Sequence, residues 1–304
     1  MTTGILQARG LCKAYKKNQV LNGLDITIQP GKIYGLIGRN GAGKTTLLGI
    51  LTAQNTHDAG EVSYNGEPVW ENPKALADLC FSRELQTTLF YGQNTLKVRN
   101  YLQAGATFYP RWDEAYARRL MKEFGLEEKK RVSQLSKGQL SMVTILIALA
   151  SGAPVTILDE PVAGLDVVAR ERFYQLLLED YERTNRTFIL STHIIEEAAS
   201  VFERVLILDD GRIIEDAETE ELVDQFRYVS GAAEEVDRVC QGMTVVSERR
   251  MGRRKTAAVR DTDGRRAADL EGGGEVDVVH MSLQDVVVAL CGHEAAGWGG
   301  GGMA

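Results

Sequence analysis

The sequence lacks the features of secreted, membrane-spanning and zinc-binding chains. Its four cysteines are scattered and no two form a C-x-x-C pair, so we expect reduced thiols in a cytosolic protein. We expect no secretory signal before the first strand-like segment. The longest apolar stretch, 142–158, is interrupted by the turn-forming segment 151–154. Because this stretch is short and broken, it is not expected to cross a bilayer.

An excess of positive charge is also missing. The chain has 35 Lys and Arg against 42 Asp and Glu, a net charge of −7. This balance argues against a protein that binds nucleic acid through its overall charge. Nucleic-acid binding would need a local basic patch. We interpret the arginine-rich segment 249–255 as a solvated hairpin turn. The 304 residues suffice for one large α/β domain and a smaller one.

A glycine-rich segment stands between a predicted strand, 33–37, and a predicted helix. Residues 38–45 read Gly-Arg-Asn-Gly-Ala-Gly-Lys-Thr, a complete G-x-x-x-x-G-K-T phosphate loop. Its glycines let backbone N–H groups and the helix N-terminus donate to a polyphosphate. Lys44 would reach the β- and γ-phosphates, and the Thr45 hydroxyl would bind Mg²⁺. The predicted nucleotide-binding residues are Gly38, Asn40, Gly41, Ala42, Gly43, Lys44, Thr45 and Thr46.

Acidic side chains end a predicted buried strand, 155–158. A carboxylate at a strand tip beside a phosphate loop can hold Mg²⁺, and we assign this role to Asp159. Glu160 would orient and deprotonate the water that attacks the γ-phosphate. His193 follows the next apolar strand, 187–190, where it is placed to touch that phosphate. The two strands and the helix predicted between them indicate a parallel βαβ unit.

The segment 135–139 opens another predicted helix. Ser136 can cap this helix, and the adjacent N–H groups and helix dipole suit an anion. Capped helices are common, so this segment alone does not indicate a binding site. Its position just before the strand that ends in Asp159 is what suggests one.

Patterning along the rest of the chain predicts further elements. After Phe226 the composition shifts, and we expect three short strands and two short helices. The other predicted segments are strands within 5–35, a hairpin at 60–66, helices over 97–149, a hairpin at 205–214, and a disordered Gly-rich tail at 291–304.

Five motifs in this order resemble those of the nucleotide-binding subunit of an ABC transporter. Residues 38–45 resemble its Walker A motif, 135–139 its signature, and 155–160 its Walker B motif with the catalytic glutamate. Residues 163–166 resemble its D-loop, and His193 its switch histidine.

The resemblance covers about residues 5–225. It implies an α/β fold, a P-loop NTPase of ABC type with a mixed sheet core, an antiparallel β subdomain and a helical subdomain at about 97–150. A small α+β accessory domain would occupy 226–290. The implied cofactors are ATP and Mg²⁺.

In this family two subunits sandwich two ATP molecules. The resemblance therefore implies that Ser136, Gly138 and Gln139 contact the nucleotide held by a second protomer. Tyr15 lies where the family stacks an aromatic ring on adenine. The chain has both parts of such an ATP site, the phosphate loop and the signature, so two copies could form a homodimer. A heterodimer with a related subunit is the alternative. The implied partner is a membrane permease on a separate chain, which would place the subunit at the cytoplasmic face of the membrane.

Two positions depart from the family pattern. Where the family has its Q-loop glutamine, this chain has Glu84, with Gln86 two residues later, so either residue would serve near Mg²⁺. Lys137 replaces a signature glycine. The helical segment 109–138 is similar to that of bacterial antibiotic-type exporter ATPases, which favours export.

The leading hypothesis is thus an ATP hydrolase that powers a separate permease, with Lys44, Glu160 and His193 as catalytic residues. A soluble ABC-type ATPase acting on ribosomes or DNA is the alternative. Those proteins usually carry two cassettes or a long coiled-coil insertion, and this chain has neither; no nucleic-acid partner is expected. A non-hydrolysing regulatory module is a third hypothesis, against which Glu160 and His193 speak.

Overall fold

The structure is a computed structural model. It describes residues 4–85, 88–89, 92–93, 95–262 and 276–292, with the backbone alone at 88–89 and 92–93. The chain divides into two compact units, Met1–Asp216 and Ala217–Ala304. The boundary that we predicted at 225/226 falls after helix Thr219–Asp224, which belongs to the second unit. Of the predicted tail, 293–304 lies outside the described residues.

The strands are β1 (Leu6–Tyr15), β2 (Asn18–Ile28), β3 (Ile33–Ile37), β4 (Ala59–Tyr64), β5 (Glu67–Pro68), β6 (Leu79–Ser82), β7 (Thr88–Leu89), β8 (Gly92–Gln93), β9 (Val155–Asp159), β10 (Thr187–Ser191), β11 (Arg204–Asp209), β12 (Arg212–Glu218), β13 (Phe226–Ala232), β14 (Thr244–Met251), β15 (Arg254–Arg260) and β16 (Val276–His280). The helices are α1 (Lys44–Leu51), α2 (Pro73–Leu76), α3 (Val98–Phe108), α4 (Glu114–Glu123), α5 (Lys137–Ala150), α6 (Val167–Thr184), α7 (Ile195–Ala198), α8 (Thr219–Asp224), α9 (Ala233–Val239) and α10 (Leu283–Cys291).

The central sheet of the first unit has the strand order β12-β11-β3-β10-β9-β6. Neighbours from β11 to β6 run parallel. Every residue of β3, β9 and β10 is buried, as expected for apolar strands covered on both faces. Ser191 at the end of β10 lies opposite both Asp159 and Leu36. The carboxyl ends of these three strands therefore meet at one edge, and the predicted βαβ unit is confirmed.

An antiparallel sheet, β2-β1-β4-β5, forms the second layer of the first unit. It contains the predicted N-terminal strands and the predicted hairpin at 60–66, where β4 pairs with β5. Leu6 and Leu24 of this sheet share one buried core cluster with Tyr34 and Ile157 of the central sheet and Leu48 of α1. The phosphate-loop helix is thus fixed by burial of its apolar face between the sheets.

Helices α3, α4 and α5 confirm the predicted helical region. Asp113 caps α4 by accepting from the Tyr116 N–H at 2.9 Å, and Leu120 of this helix is fully buried. Helix α5 is apolar around most of its circumference and buries nine of its residues. Despite this, no helix among the described residues is long and apolar enough to cross a membrane.

The second unit contains an antiparallel sheet with the order β14-β15-β13-β16. Its strands include the three that we predicted after Phe226, and α9 and α10 are the two predicted short helices. Val229, Val236 and Val259 lie in a separate small core. The predicted arginine-rich turn falls on the β14–β15 hairpin: Gly252 and Arg253 connect the strands, and Arg249, Arg250 and Arg254 are exposed at the strand ends.

Candidate functional site

The loop after β3 leads directly into the first turn of α1. Gly43 precedes this helix with a φ of 106°, and a Cβ there would lie 2.9 Å from the carbonyl oxygen of Val20. The left-handed backbone and the short distance to Val20 both require glycine at position 43. Among the described residues, no side chain caps α1, and its first turn contains no acidic residue. Its first N–H groups and positive dipole end are therefore open to an anion.

Lys44 is buried and held over this loop. Its Nζ donates to the carbonyl oxygens of Gly38 at 2.7 Å and Arg39 at 3.3 Å. Burial lowers the pKa of the Lys44 ammonium, while the negative charges of Glu160 and Asp159 act in the opposite direction. The ammonium is thus fixed next to the helix N-terminus and to both predicted acids.

Thr45 and Asp159 supply adjacent oxygen atoms. The Thr45 hydroxyl donates to Asp159 Oδ2 at 2.7 Å, and the Ser191 hydroxyl donates to Asp159 Oδ1. Mg²⁺ is usually held by one or two carboxylates together with substrate phosphates and water. The oxygen pair at Thr45 and Asp159 fits that pattern. No group of three His, Cys, Asp or Glu that could hold a metal alone occurs among the residues the structure describes.

Glu160 and His193 lie side by side at the same sheet edge. The Nδ1 of His193 is 2.7 Å from Glu160 Oε2. Glu160 has a φ of 51°, a left-handed conformation that is uncommon for residues other than glycine and costs free energy. Its N–H donates to the Ser191 hydroxyl and to the Ser191 carbonyl oxygen, both at 3.1 Å. These bonds hold the Glu160 backbone in its left-handed conformation.

The start of α5 forms a second group. The Ser136 hydroxyl accepts from the Gln139 N–H at 3.2 Å, and Gln139 Oε1 accepts from the Ser136 N–H at 3.3 Å. This reciprocal capping box confirms the predicted cap. A Cβ at Gly138 would lie 2.8 Å from the carbonyl oxygen of Gly164, so glycine permits close packing of α5 against the 163–166 loop.

The structure gathers five predicted site residues at one sheet edge: Lys44, Thr45, Asp159, Glu160 and His193. The other predicted loop residues, Gly38, Asn40, Gly41, Ala42, Gly43 and Thr46, are in the same loop and helix turn. Ser136, Gly138 and Gln139 lie at the start of α5 instead. Among described residues, no hydrogen bond or ion pair joins that group to the phosphate loop.

Two predicted residues lie apart from this cluster. Glu84 Oε1 is 3.8 Å from Lys137 Nζ, and both side chains are exposed; its Mg²⁺ role stays a prediction, and Gln86 lies outside the described residues. Tyr15 pairs with Asn18 at the β1–β2 turn and is 48% exposed. Its ring has the Lys13 ammonium 5.4 Å from its centroid, and stacking on adenine stays a prediction.

Sequence reasoning missed Ser191. Its side chain contacts both Asp159 and the Glu160 N–H, so it orients the two acids together. The sequence does place a serine at the end of β10, the strand that follows the one ending in Asp159. Only the register of β10 against β9 shows that the hydroxyl faces the acids.

Comparisons with known proteins agree with this geometry. The family described as ABC transporter matches residues 21–163. The Nod factor export ATP-binding protein I of Cupriavidus metallidurans is 30% identical over 305 residues, covering 96% of this chain and 99% of that protein. The ABC transporter ATP-binding protein YtrB of Bacillus subtilis is 28% identical over 222 residues, covering 73% and 75%. An aliphatic sulfonates import ATP-binding protein of Corynebacterium glutamicum is 32% identical over 211 residues, covering 67% and 80%.

Solved structures give the same result for the fold. The ATP-binding subunit of an ABC transporter superposes with a TM-score of 0.62 at 26% identity, covering 73% of this chain and 92% of that one. A dimeric ATP-binding cassette in a post-hydrolysis state, bound to ADP and Pi, has a TM-score of 0.61 at 24% identity, covering 70% and 98%. The latter likeness is one of fold.

The fold and the phosphate loop define a P-loop NTPase of ABC type. The chain belongs to the ATP-binding proteins of the ABC transporter family. It is an ATP-binding subunit and an ATP hydrolase coupled to transport. The comparisons give no support to the ribosome or DNA alternative. The relatives are named for export and for import alike, so they do not separate the two directions.

Proposed function

We propose that the chain binds MgATP on the loop around Lys44 and hydrolyses it within a dimer that drives a permease on another chain. The observation that carries this proposal is the convergence of the Lys44 ammonium, the oxygen pair of Thr45 and Asp159, and the hydrogen-bonded Glu160 and His193 at one sheet edge. These are the groups that in-line phosphoryl transfer to water requires.

Each residue has a role that follows from its position. The Lys44 ammonium and the N–H groups at the start of α1 bind the β- and γ-phosphates and stabilise charge that develops on them. Glu160, pinned by Ser191, accepts a hydrogen bond from the attacking water and then its proton. His193 orients Glu160 through its Nδ1 and contacts the γ-phosphate. Thr45 and Asp159 would hold Mg²⁺, which would supply positive charge that stabilises the reacting phosphate.

The group at the start of α5 acts on a second protomer. Ser136, Gly138 and Gln139 lie at an exposed helix N-terminus, a suitable site for the γ-phosphate bound by the other subunit. We therefore propose an ATP-dependent homodimer in which each phosphate loop faces the partner's signature. Tyr15 stacks on adenine. Glu84 would be a further oxygen ligand for Mg²⁺, and in this structure its carboxylate lies 3.8 Å from the Lys137 ammonium.

The permease is an integral-membrane protein on a separate chain, and the complex lies at the cytoplasmic face of the membrane. Export is the direction we propose. The relatives' names do not decide it, and the support is the extent of the match: an export relative covers 96% of this chain, whereas the import relative covers 67%. The second unit, which begins at Ala217, is an accessory domain of the subunit.

The test is ATP-dependent dimerisation of Glu160→Gln, which keeps the side-chain shape but removes the base. With saturating ATP and Mg²⁺, light scattering should report twice the protomer mass, and Lys44→Ala in the same background should stay monomeric. Glu171→Gln, at an exposed position on α6, is the matched control and should hydrolyse ATP normally. A Glu160→Gln protein that stays monomeric with ATP bound would contradict the dimer. If the protein co-purified with ribosomes and not with an integral-membrane protein, the proposal of a permease partner would be wrong.

A further inference from the structure

An ion pair joins the start of α6 to α7. Arg170 Nη1 lies 3.3 Å from Glu197 Oε1. Arg170 is one helical turn after Asp166, whose carbonyl oxygen accepts from the Arg170 N–H at 2.9 Å. Glu197 lies four positions after His193. The pair therefore connects the 163–166 loop to the segment that carries His193.

The arginine of this pair is mostly buried. Its side chain is 18% exposed and that of Glu197 is 36% exposed. Arg170 Nε is buried without a hydrogen-bond partner among the described residues. Partly exposed ion pairs contribute little to stability, and a buried unpaired donor reduces it. Stability alone therefore does not account for placing Arg170 here.

Tyr174, one turn further along α6, lies on the same side of the helix. It is buried, and burial raises the pKa of its hydroxyl. The negative charges of Glu197 and Glu160 act in the same direction, and the positive charge of Arg170 opposes them. This face of α6 is thus close to both carboxylates and to the cluster at the sheet edge.

Helix α7 is short. It spans only Ile195–Ala198, and its N-terminal flanking residue, Ile194, provides no side-chain cap. Ile195 and Ala198 are buried, and Glu197 is the residue of α7 that forms an ion pair with another helix. Loss of that pair removes the ion-pair link between α7 and α6, while Ile195 and Ala198 stay packed in the core.

We propose that Arg170 and Glu197 are positioning residues that keep His193 in contact with Glu160 by tying α7 to the start of α6. The inference rests on the proposed role of His193 in hydrolysis. The pair acts through His193, so it affects the chemical step and leaves nucleotide binding unchanged.

Single variants Arg170→Gln and Glu197→Gln test the pair. Each should lower kcat on the order of tenfold with KM for ATP changed by less than about twofold, since residues in one ion-pair network couple at this scale. The double variant should be no worse than either single one. The exchange Arg170→Glu with Glu197→Arg should recover part of kcat.

Arg172→Gln is the matched control on the same helix. Arg172 pairs with Glu123 and Glu179, and kcat should stay at the wild-type value when these pairs are lost. Hydrogen exchange provides a readout beside activity. Amides of 192–198 should exchange faster in Arg170→Gln than in wild type, and Arg172→Gln should leave them unchanged.

The outcomes separate this inference from the proposed function. If His193→Ala retains full hydrolysis, the assignment of His193 fails regardless of the ion pair. If His193→Ala is inactive while Arg170→Gln and Glu197→Gln keep the wild-type kcat, the positioning inference is wrong. An equal loss in Arg172→Gln would also overturn it. Should Arg170→Gln fail to fold, the more exposed Glu197→Gln gives the same test.

Discussion

Replacing Glu160 by glutamine separates catalysis from binding at this site. The amide has the shape of the carboxylate and can still bond to His193 Nδ1, 2.7 Å from the present Oε2. Its backbone bonds to Ser191 are untouched. What is lost is the ability to accept a proton from water. General-base catalysis of this kind contributes roughly 10²–10⁴-fold, which is about 3–5 kcal/mol of transition-state stabilisation.

The expected result is a fall in kcat of that size with unchanged ATP affinity. Release of inorganic phosphate at saturating MgATP measures kcat, and fluorescence of a nucleotide analogue measures affinity. Glu171→Gln should match wild type in both assays. Near-normal turnover in Glu160→Gln would refute the assignment of the base. A parallel loss of ATP affinity would instead show that the substitution disturbs the phosphate loop.

Three further predictions concern the phosphate loop, the sheet edge and a buried ion pair away from the site. Lys44→Ala should weaken ATP binding roughly 10–100-fold through loss of a charged hydrogen bond, as calorimetry can measure, whereas the exposed Lys74→Ala should bind normally. Ser191→Ala should lower kcat roughly tenfold, because it removes the hydroxyl that orients both acids; an unchanged kcat would contradict this. Asp180→Ala should lower the free energy of unfolding by about 3–5 kcal/mol, since it leaves the buried Arg186 unpaired. Urea unfolding checks this value, and Asp277→Ala at an exposed pair should have no measurable effect.

Much of the fold could be predicted because its patterns are local. The apolar runs at 155–158 and 187–190, with a helix of suitable length between them, allow few arrangements other than a parallel βαβ unit. The phosphate loop carries its own context, a strand before and a helix after. These features predict that Asp159 and the loop lie at the same sheet edge.

The remaining features depend on contacts that sequence spacing does not encode. That the Ser191 hydroxyl faces Asp159 follows from the register between β9 and β10. The left-handed backbone of Glu160 has no signal in a glutamate residue. The pairing of Arg170 with Glu197 joins helices separated by a whole strand. Pair contacts of this kind are set by tertiary packing, which composition and periodicity do not determine.

The capping box at the start of α5 has a consequence for ligand capture. Since the Ser136 oxygen already accepts from the Gln139 N–H, the capping bond restricts the rotamer of this side chain and leaves its O–H free to donate. In the proposed dimer, a phosphate bound by Ser136 would therefore incur little entropic cost for ordering the side chain, and the bond that caps the helix would also serve recognition.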